Sequence, residues 1–258
     1  MTDGRRSFRG RLLQSLLALA VGLVPRLAAA QGGPPLLTDD PGTPGAGRTE
    51  LNVAFTVEKH KDETLYEAPQ VDFNFGVGER IQIKVELPWV ISHESPGGAE
   101  SGLGNLLLGF KYRFLDEDSS GIDLSVYPQF DFNTSAHSRR SGLVPEGMEL
   151  LLPVEVARDL GWFAVNAELG YLLREEFEEE WEWGLALGRR LTQAIEILGE
   201  VHGFSSRSFD RAEMVFNLGA RVKLSELNSI LVSAGRGIRG ESHGEPGLIG
   251  YLGLQFNF

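Results

Sequence analysis

From Arg48 to the last residue, apolar and polar side chains alternate with a period of two. This is the period of a strand whose two faces meet different surroundings. In the first three runs the apolar positions are Leu51, Val53, Phe55, Val57, Val71, Phe73, Phe75, Ile81, Ile83, Val85, Leu87 and Trp89. Further runs lie near 105–114, 121–133, 148–157, 162–172, 181–191, 194–204, 211–223, 228–235 and 247–258. Since a tilted strand crosses a bilayer in roughly ten residues, residues 48–258 are predicted to form an all-β, up-and-down antiparallel transmembrane β-barrel of about 12 strands.

The predicted connections alternate in length, which gives the barrel a direction. Short turns follow the even-numbered strands at 76–79, 115–120, 158–161, 192–193 and 225–227. Longer loops follow the odd-numbered strands at 92–102, 135–147, 174–180, 205–210 and 236–245, and only the first hairpin, 59–63, departs from this rule. An up-and-down barrel with both termini in the periplasm requires this alternation. A soluble sandwich with Greek-key connections does not.

Aromatic residues occupy the two ends of the predicted apolar face. Those near the long loops are Trp89, Phe132, Tyr171, Trp181 and Trp183, and those near the short turns are Phe75, Phe114, Phe163 and Phe258. Two belts of aromatic rings separated by aliphatic residues are typical of the two interfaces of a membrane. The alternative is that these rings form the core of a soluble β protein.

The N-terminal segment has the three parts of a secretory signal peptide. Its basic residues are Arg5, Arg6, Arg9 and Arg11. An apolar run over 12–24 follows, and Ala28, Ala29 and Ala30 precede a predicted cut before Gln31. The run is too short for a membrane anchor, which needs about 20 apolar residues. We therefore predict export through a cleaved signal peptide at residues 1–30.

A segment rich in proline and glycine, Gln31–Gly47, precedes the first strand, and we call it the lead-in. Its composition excludes a helix and favours extended backbone or turns. We assign it to the periplasm as a separate region of the chain. The sequence also allows the lead-in to sit inside the lumen of the barrel.

The inward face of the predicted strands is polar and carries both signs of charge. The candidate lumen-lining residues are Lys84, Glu86, Lys111, Arg113, Asp131, Glu155, Glu168, Arg190, Glu200, Arg221 and Lys223. A barrel of twelve strands is wider than one of eight, whose interior is just filled by side chains. The inner face therefore fits either a water-filled channel that selects solutes by charge or an interior plugged by its own ion pairs.

The last strand alternates up to the terminal residue. Leu252, Leu254, Phe256 and Phe258 point one way, whereas Tyr251, Gly253, Gln255 and Asn257 point the other. A final strand that ends on an outward phenylalanine resembles the C-terminal signature recognised by the barrel-assembly machinery. We therefore assign Tyr251, Gly253, Phe256 and Phe258 to an assembly signal.

Composition excludes several classes of function. The net charge of -12 disfavours nucleic acid as a partner, and the absence of cysteine removes thiolate nucleophiles and thiolate metal sites. The acidic loop around Glu175–Glu180 has two interpretations, a solvated loop or a carboxylate cluster that holds Ca²⁺ against lipopolysaccharide. We predict no cofactor and no metal site. One class of twelve-stranded barrels is a phospholipase, but only His202 lies within a predicted strand, so no enzyme is predicted.

The residues Asp40-Pro41-Gly42-Thr43-Pro44-Gly45-Ala46-Gly47, followed by Glu50-Leu51-Asn52, carry a family resemblance. They resemble the start of an outer-membrane protein family labelled after the meta-pathway of phenol degradation, whose members have this stretch before the first strand. The resemblance implies a barrel and a transporter for small, often aromatic, compounds. It carries no binding residues over to this chain.

Three hypotheses follow. The first is a channel in the outer membrane of a Gram-negative-type bacterium that passes small solutes, aromatic or hydrophobic ones among them, with the lipid bilayer and lipopolysaccharide as its surroundings. The second is a plugged barrel that serves as a structural or adhesive surface protein, with an outer-membrane enzyme as a further alternative. The third is a soluble periplasmic all-β protein.

Overall fold

The structure, a computed structural model, describes residues 32–239 and 246–258. The predicted signal peptide, Gln31 and loop residues 240–245 lie outside the described residues. The strands are β1 (Thr49–Lys59), β2 (Glu63–Val77), β3 (Ile81–Glu94), β4 (Ala99–Leu103), β5 (Leu106–Leu115), β6 (Asp123–Val126), β7 (Gln129–Phe132), β8 (Met148–Asp159), β9 (Ala164–Arg174), β10 (Glu180–Arg190), β11 (Ile195–Ser206), β12 (Ala212–Lys223), β13 (Asn228–Arg239) and β14 (Leu248–Asn257). Two short helices, α1 (Glu117–Ser120) and α2 (Ala136–Arg140), lie between strands.

The strands close into one antiparallel barrel. β1 pairs with β14 from Glu50↔Asn257 to Lys59↔Leu248, which joins the first strand to the last. Two positions in the barrel are each built from two segments, since β4 and β5 both pair with β3 and β6 and β7 both lie between β5 and β8. The 14 segments therefore make 12 barrel strands, which confirms the predicted fold class and strand number.

The break between β6 and β7 has a local cause. Pro128 has no N–H group and cannot donate to a neighbouring strand. The chain stays attached on both sides, because Phe110 N donates to Pro128 O (3.0 Å) and Tyr127 N donates to Pro153 O (3.1 Å). The prediction of one continuous strand over 121–133 was therefore wrong at residues 127–128. At this break the Tyr127 side chain is fully buried inside the barrel.

The two faces of the barrel wall differ in polarity as the alternation predicted. Outward side chains are mainly Leu, Val, Ile and Phe, and many stay more than a third exposed, such as Leu185, Leu218 and Leu252. Inward side chains are mostly polar and buried, such as Asn52 and Glu155. An apolar outside and a polar inside form the arrangement that a barrel has in a lipid bilayer.

The contrast in loop length is smaller than predicted. Much of the expected loop 92–102 is paired strand, with partners from Trp89↔Leu103 to His93↔Ala99, so only 95–98 remain as a connection. Polar residues that continue a strand beyond the apolar band resemble a loop in sequence, which explains the error. The even number of barrel strands puts the start of β1 and the end of β14 at the same rim. There Thr49 and Phe258 exchange backbone hydrogen bonds of 2.9 and 3.0 Å.

Of the nine aromatic residues predicted to form the two belts, five are strongly exposed on the outward face and four are partly buried. Trp89, Phe75, Phe114, Phe163 and Phe258 are each 36% exposed or more. In the described part of the chain, no helix has the length and apolar character needed to cross a membrane.

Candidate functional site in the barrel lumen

The lead-in enters the barrel at the rim where β1 begins. Gly47 N donates to Gly76 O (3.0 Å) and Gly76 N donates to Arg48 O (2.9 Å), so the end of the lead-in runs along β2. Residues 32–41 lie farther in, bound to inward-facing side chains of the barrel as described below. The sequence left two locations open for this segment, and its described residues extend into the lumen rather than away from the barrel.

The beginning of the described lead-in is held through its carbonyl groups. Arg221 on β12 donates to the carbonyl oxygens of residues 32–34, with Nη2–O 3.1 Å to the second and Nε–O 3.0 Å to the third. Ser233 Oγ on β13 donates to Pro35 O (2.7 Å). Gly219 lies beside this proline, and a Cβ atom there would lie 3.2 Å from Pro35 Cγ. The close approach of the segment to the wall therefore needs a small residue at this position.

The middle of the lead-in is held through its N–H groups. Both carboxylate oxygens of Glu200 on β11 accept from Leu37 N (2.9 and 3.1 Å), and Oε2 also accepts from Thr38 N (2.8 Å). Asn217 Nδ2 donates to Glu200 Oε1 (3.0 Å) and fixes the carboxylate from the next strand. Glu200 is only 2% exposed. A buried carboxylate is stabilised by such donors, so the lead-in satisfies a charge that the barrel wall buries.

The same stretch makes the one apolar contact cluster described in the interior. Leu36 packs with Ala164, Ala186 and Leu198, all of them buried. These three side chains come from β9, β10 and β11, where they lie among inward polar residues such as Glu168, Glu182 and Glu200. The lead-in therefore covers a small apolar patch on the lumen wall.

Lys111 on β5 anchors the acidic end of the lead-in. Its Nζ donates to Asp39 Oδ1 (3.0 Å) and to Asp40 O, and it lies 3.4 Å from Glu155 Oε2. The ammonium also stands 4.3 Å from the centre of the Tyr127 ring. Lys111 is 1% exposed and Glu155 is fully buried. This cation therefore joins the lead-in to two places on the barrel wall.

The inward side chains of β1–β3 make no such contact with lead-in residues 32–41 in the hydrogen bonds of the described residues. These side chains bond to one another instead, as Asn52 and Asn74 both donate to Asp72 (3.1 and 3.0 Å). Gln82 Nε2 continues the chain to Asn74 Oδ1 (2.8 Å) and Tyr127 OH (3.3 Å). We call this face the self-paired wall. The residues that hold the lead-in, Lys111, Glu168, Glu200, Arg221 and Ser233, form the binding wall.

Charged groups of the self-paired wall are also matched within it. Lys84 Nζ lies 2.7 Å from Glu86 Oε2 and 3.7 Å from Asp72 Oδ1. Gln70 Nε2 donates to Glu86 Oε1 (2.8 Å). This part of the interior corresponds to the alternative in which ion pairs of the wall fill the lumen.

A buried cluster of two carboxylates and one imidazole lies on β9–β11, at the binding wall. His202 Nε2 on β11 is 2.9 Å from Glu182 Oε1 on β10 and 3.5 Å from Glu168 Oε1 on β9. The second oxygen of Glu168 accepts from Asp39 N (3.0 Å), so this cluster also touches the lead-in. His202 faces inward, as the alternation of β11 predicts, and is 3% exposed.

The structure brings some of the predicted lumen residues together and separates others. Lys84, Glu86, Lys111, Glu155, Glu168, Glu200 and Arg221 take part in the interior network described above. Asp131 accepts from Asn105, away from the lead-in. Arg113 lies at the turn rim, where it pairs with Asp116 (3.0 Å). Arg190 is partly buried, and Lys223 is exposed and pairs with Glu226 (2.8 Å) at a turn.

Several important residues were not among the predicted candidates. Uncharged inward side chains carry much of the network, among them Asn52, Asn74, Gln82, Tyr127, Asn217 and Ser233. The period-two pattern already places each on the inward face, so the signal was present. The prediction selected charged residues alone and therefore missed them. The contacts of Leu36 and Thr38 carry no pattern in the sequence.

The residues assigned to the assembly signal divide between the two faces. Tyr251 and Gly253 are on the inward side of β14, whereas Phe258 is 67% exposed. The rings of Phe256 and Phe258 stack with centroids 6.5 Å apart. The arrangement agrees with the alternation, and the role in assembly stays a prediction.

Solved structures share this architecture. An outer-membrane channel from Pseudomonas putida F1 superposes with a TM-score of 0.71 at 13% identity, over 88% of this chain and 100% of that chain. The chain has the fold of an outer-membrane channel. The KdgM porin gives a TM-score of 0.57 at 8% identity, over 80% of this chain and 99% of that one. The CymD monoaromatic hydrocarbon channel gives 0.52 at 9% identity, over 83% and 89%.

Comparisons of sequence add no family. No family model matches the chain, and no curated protein matches it either. The three solved structures are named as channels or porins, and none is named for a catalytic activity.

Proposed function

We propose that the protein is an outer-membrane channel for small solutes whose lumen the lead-in closes in the conformation described here. The observation that supports this is the way in which the lead-in is bound. Its backbone is held by side chains of the wall, through hydrogen bonds and ion pairs that water can replace. A twelve-stranded barrel leaves space along its axis, and a segment held in this way is suited to leave that space.

The polarity of the wall suggests which solutes pass. Inward carboxylates outnumber inward cations among the residues described above, so a lumen without the lead-in attracts cations. Departure of Leu36 also uncovers the apolar patch of Ala164, Ala186 and Leu198. We infer that the channel takes small solutes with an apolar part, either neutral or cationic. This class includes aromatic compounds, in keeping with the family resemblance of residues 40–52 and with the similar fold of the CymD monoaromatic hydrocarbon channel.

Conductance in planar bilayers tests the proposal. The full mature chain is compared with a variant that lacks residues 32–41 but keeps 45–48, because Gly47 and Arg48 bond to β2. We expect rare, small openings from the full chain and a steady, cation-selective conductance from the deletion variant. A variant in which 32–41 are replaced by a Gly/Ser segment of equal length is the matched control. It keeps the length of chain but loses the specific contacts, so it should give unstable, fluctuating currents.

The proposed solute class is tested separately, by the interruptions that solutes cause in the current through the deletion variant. Benzylammonium should interrupt the current for longer than methylammonium, because only the former has a ring for the apolar patch. Leu198→Ser should shorten these interruptions without changing the conductance. Equal interruptions by both cations would contradict the proposed solute class but not the channel.

The second candidate is a barrel without transport that acts through its surface. The occupied lumen and the long connection 133–147, which contains α2, favour it. An insulating barrel after deletion of residues 32–41, with heat-modifiable gel migration intact, would favour this candidate over the channel.

We further propose outer-membrane location, with export through the signal peptide, assembly by the barrel-assembly machinery and contact with lipopolysaccharide. The apolar outer face supports insertion in a bilayer, since so much exposed Leu, Val and Phe is unfavourable in water. Recovery of the folded, heat-modifiable protein in outer-membrane fractions is the expected result. Recovery in the soluble periplasmic fraction would favour the soluble alternative.

A further inference from the structure

Three adjacent strands bring potential metal ligands to one point in the lumen. Glu168, Glu182 and His202 come from β9, β10 and β11, and each is at least about nine-tenths buried. One ligand atom from each lies within 4.8 Å of the others. Since carboxylate oxygen and imidazole nitrogen are both common ligands of divalent transition metals, the chemical composition of the cluster suits such an ion.

A fourth polar group, the hydroxyl of Thr38 in the lead-in, lies beside the same three strands. Gly184 pairs with Glu168 on one side and with His202 on the other, and it lies two residues after Glu182. A Cβ atom at Gly184 would overlap Thr38 Oγ1, so this hydroxyl lies against the strand position between Glu168 and His202. Thr38 is 0% exposed, and Oγ1 has no hydrogen-bond partner among the described residues. A buried hydroxyl without a partner is unfavourable unless something else binds there.

The charges of the cluster also lack a full balance. Two buried carboxylates face a single imidazole, and the nearby cation Lys111 is already paired with Asp39 and Glu155. Even a protonated His202 leaves one negative charge in the cluster. A divalent cation bound to neutral His202 and the two carboxylates would bring the sum to zero. Buried charges are tolerated when they are paired or coordinate a metal.

We propose that Glu168, Glu182 and His202 form a binding site for a divalent transition metal ion of the Zn²⁺ type, with Thr38 Oγ1 at its fourth position. Tetrahedral ligands at about 2.1 Å from zinc are about 3.4 Å apart. The separation of His202 Nε2 from Glu168 Oε1 is already 3.5 Å, and that from Glu182 Oε1 is 2.9 Å. The pair of His202 and Glu182 must therefore open by about half an ångström.

The site also joins the wall to the lead-in. Glu168 uses Oε1 toward His202 and Oε2 toward Asp39 N. A metal ion on Oε1 leaves the second oxygen free to keep this hydrogen bond. A bound ion therefore holds β9, β10, β11 and the lead-in together.

Cobalt is the direct probe, because four-coordinate Co²⁺ has a visible absorption that Zn²⁺ removes by competition. The folded, mature full chain in detergent micelles is titrated with Co²⁺ and then with Zn²⁺. We expect one Co²⁺ ion to bind per chain. Glu182→Gln and His202→Gln should each weaken Co²⁺ binding at least about tenfold, because loss of a residue that only supports a metal ligand already costs about that much. Thr38→Val, a change outside the barrel wall, should shift the cobalt spectrum while the barrel stays folded.

Two variants control for other carboxylates. Glu86→Gln removes an inward carboxylate from the self-paired wall, and Glu176→Gln removes one from the acidic loop. Both should bind Co²⁺ as the parent chain does. Absence of the absorption in the folded parent chain, or unchanged binding in folded Glu182→Gln and His202→Gln, would overturn the proposal. The readout is absorption and not ion flux, so it is independent of the proposed channel.

Discussion

The binding wall and the self-paired wall have the same alternation of polar and apolar residues, yet their polar side chains bond to different partners. On the self-paired wall, Asp72 accepts from Asn52 and Asn74, and Lys84 pairs with Glu86. On the binding wall, comparable groups reach out to the backbone and side chains of the lead-in. A polar inward face therefore does not by itself say whether a lumen is filled by its own side chains or is able to bind a segment.

The difference lies in which partners are within reach. Neighbouring strands of the self-paired wall offer both donors and acceptors to each other, so its polar groups are satisfied without a ligand. On the binding wall, Glu200 takes three of its four described hydrogen bonds from the lead-in. If the lead-in leaves, only the binding wall has groups that need new partners. Paired substitutions on the two walls test this contrast.

The largest expected effect comes from the two buried lysines. Lys111→Met leaves Glu155 and Asp39 without their cation, and breaking a buried ion pair costs about 3–5 kcal/mol of unfolding free energy. Lys84→Met should also lower the unfolding free energy, because it leaves Glu86 of the self-paired wall without its cation. Only Lys111→Met should also raise the open fraction of the channel, because only Lys111 bonds to the lead-in. Urea unfolding and bilayer conductance measure the two effects, and equal opening by both variants would remove the contrast between the walls.

A smaller effect is expected from the two carboxylates Glu200 and Glu86. Glu200→Gln puts an amide NH₂ group against backbone N–H donors, which weakens the binding of the lead-in by about 1–3 kcal/mol. A loss of 1.4 kcal/mol corresponds to about a tenfold rise in the open fraction. Glu86→Gln, the matched change on the self-paired wall, should leave the open fraction unchanged. Single-channel recording provides the measurement, and an unchanged open fraction in Glu200→Gln would count against the role of Glu200.

Single hydroxyls should have still smaller effects. Ser233→Ala removes one hydrogen bond to Pro35 O and should cost about 1 kcal/mol of lead-in binding. Its counterpart is Ser92→Ala, since Ser92 Oγ bonds to Glu63 of the barrel (2.7 Å). Protease cleavage of the lead-in in the folded barrel should accelerate a few-fold for Ser233→Ala and stay constant for Ser92→Ala. Equal cleavage rates would show that this hydrogen bond does not hold the segment.

Substitutions on the outer face should have the smallest effect on conductance through the lumen. Phe258→Ala keeps the backbone hydrogen bonds with Thr49 but removes the terminal ring. We expect a lower yield of folded barrel and the conductance of the parent chain in those barrels that insert. Phe75→Ala removes a ring at the same rim without changing the final residue. Comparable yields for the two variants would mean that Phe258 has no special role in assembly.

Much of the fold followed from the sequence, but its details did not. The alternation of residues such as Leu51, Val53 and Phe55 fixed the strand number and the two faces, because lipid and lumen impose it directly. The break at Tyr127-Pro128 and the extension of β3 through His93 were missed. A proline in a predicted strand is compatible with a break, a bulge or an edge position. Polar residues beyond the lipid are compatible with either a strand or a loop.

For the candidate site, the sequence alone determined which residues face inward, since a period of two leaves each side chain only one face. Lys111, Glu168, Glu200 and Arg221 were predicted on this basis. Only the tertiary structure decided that these four hold the lead-in while Lys84 and Glu86 hold each other. The reason is that pairing depends on which strands are neighbours across the closed barrel and on where a segment more than 70 residues away in the chain comes to lie. The alternation of a single strand contains neither piece of information.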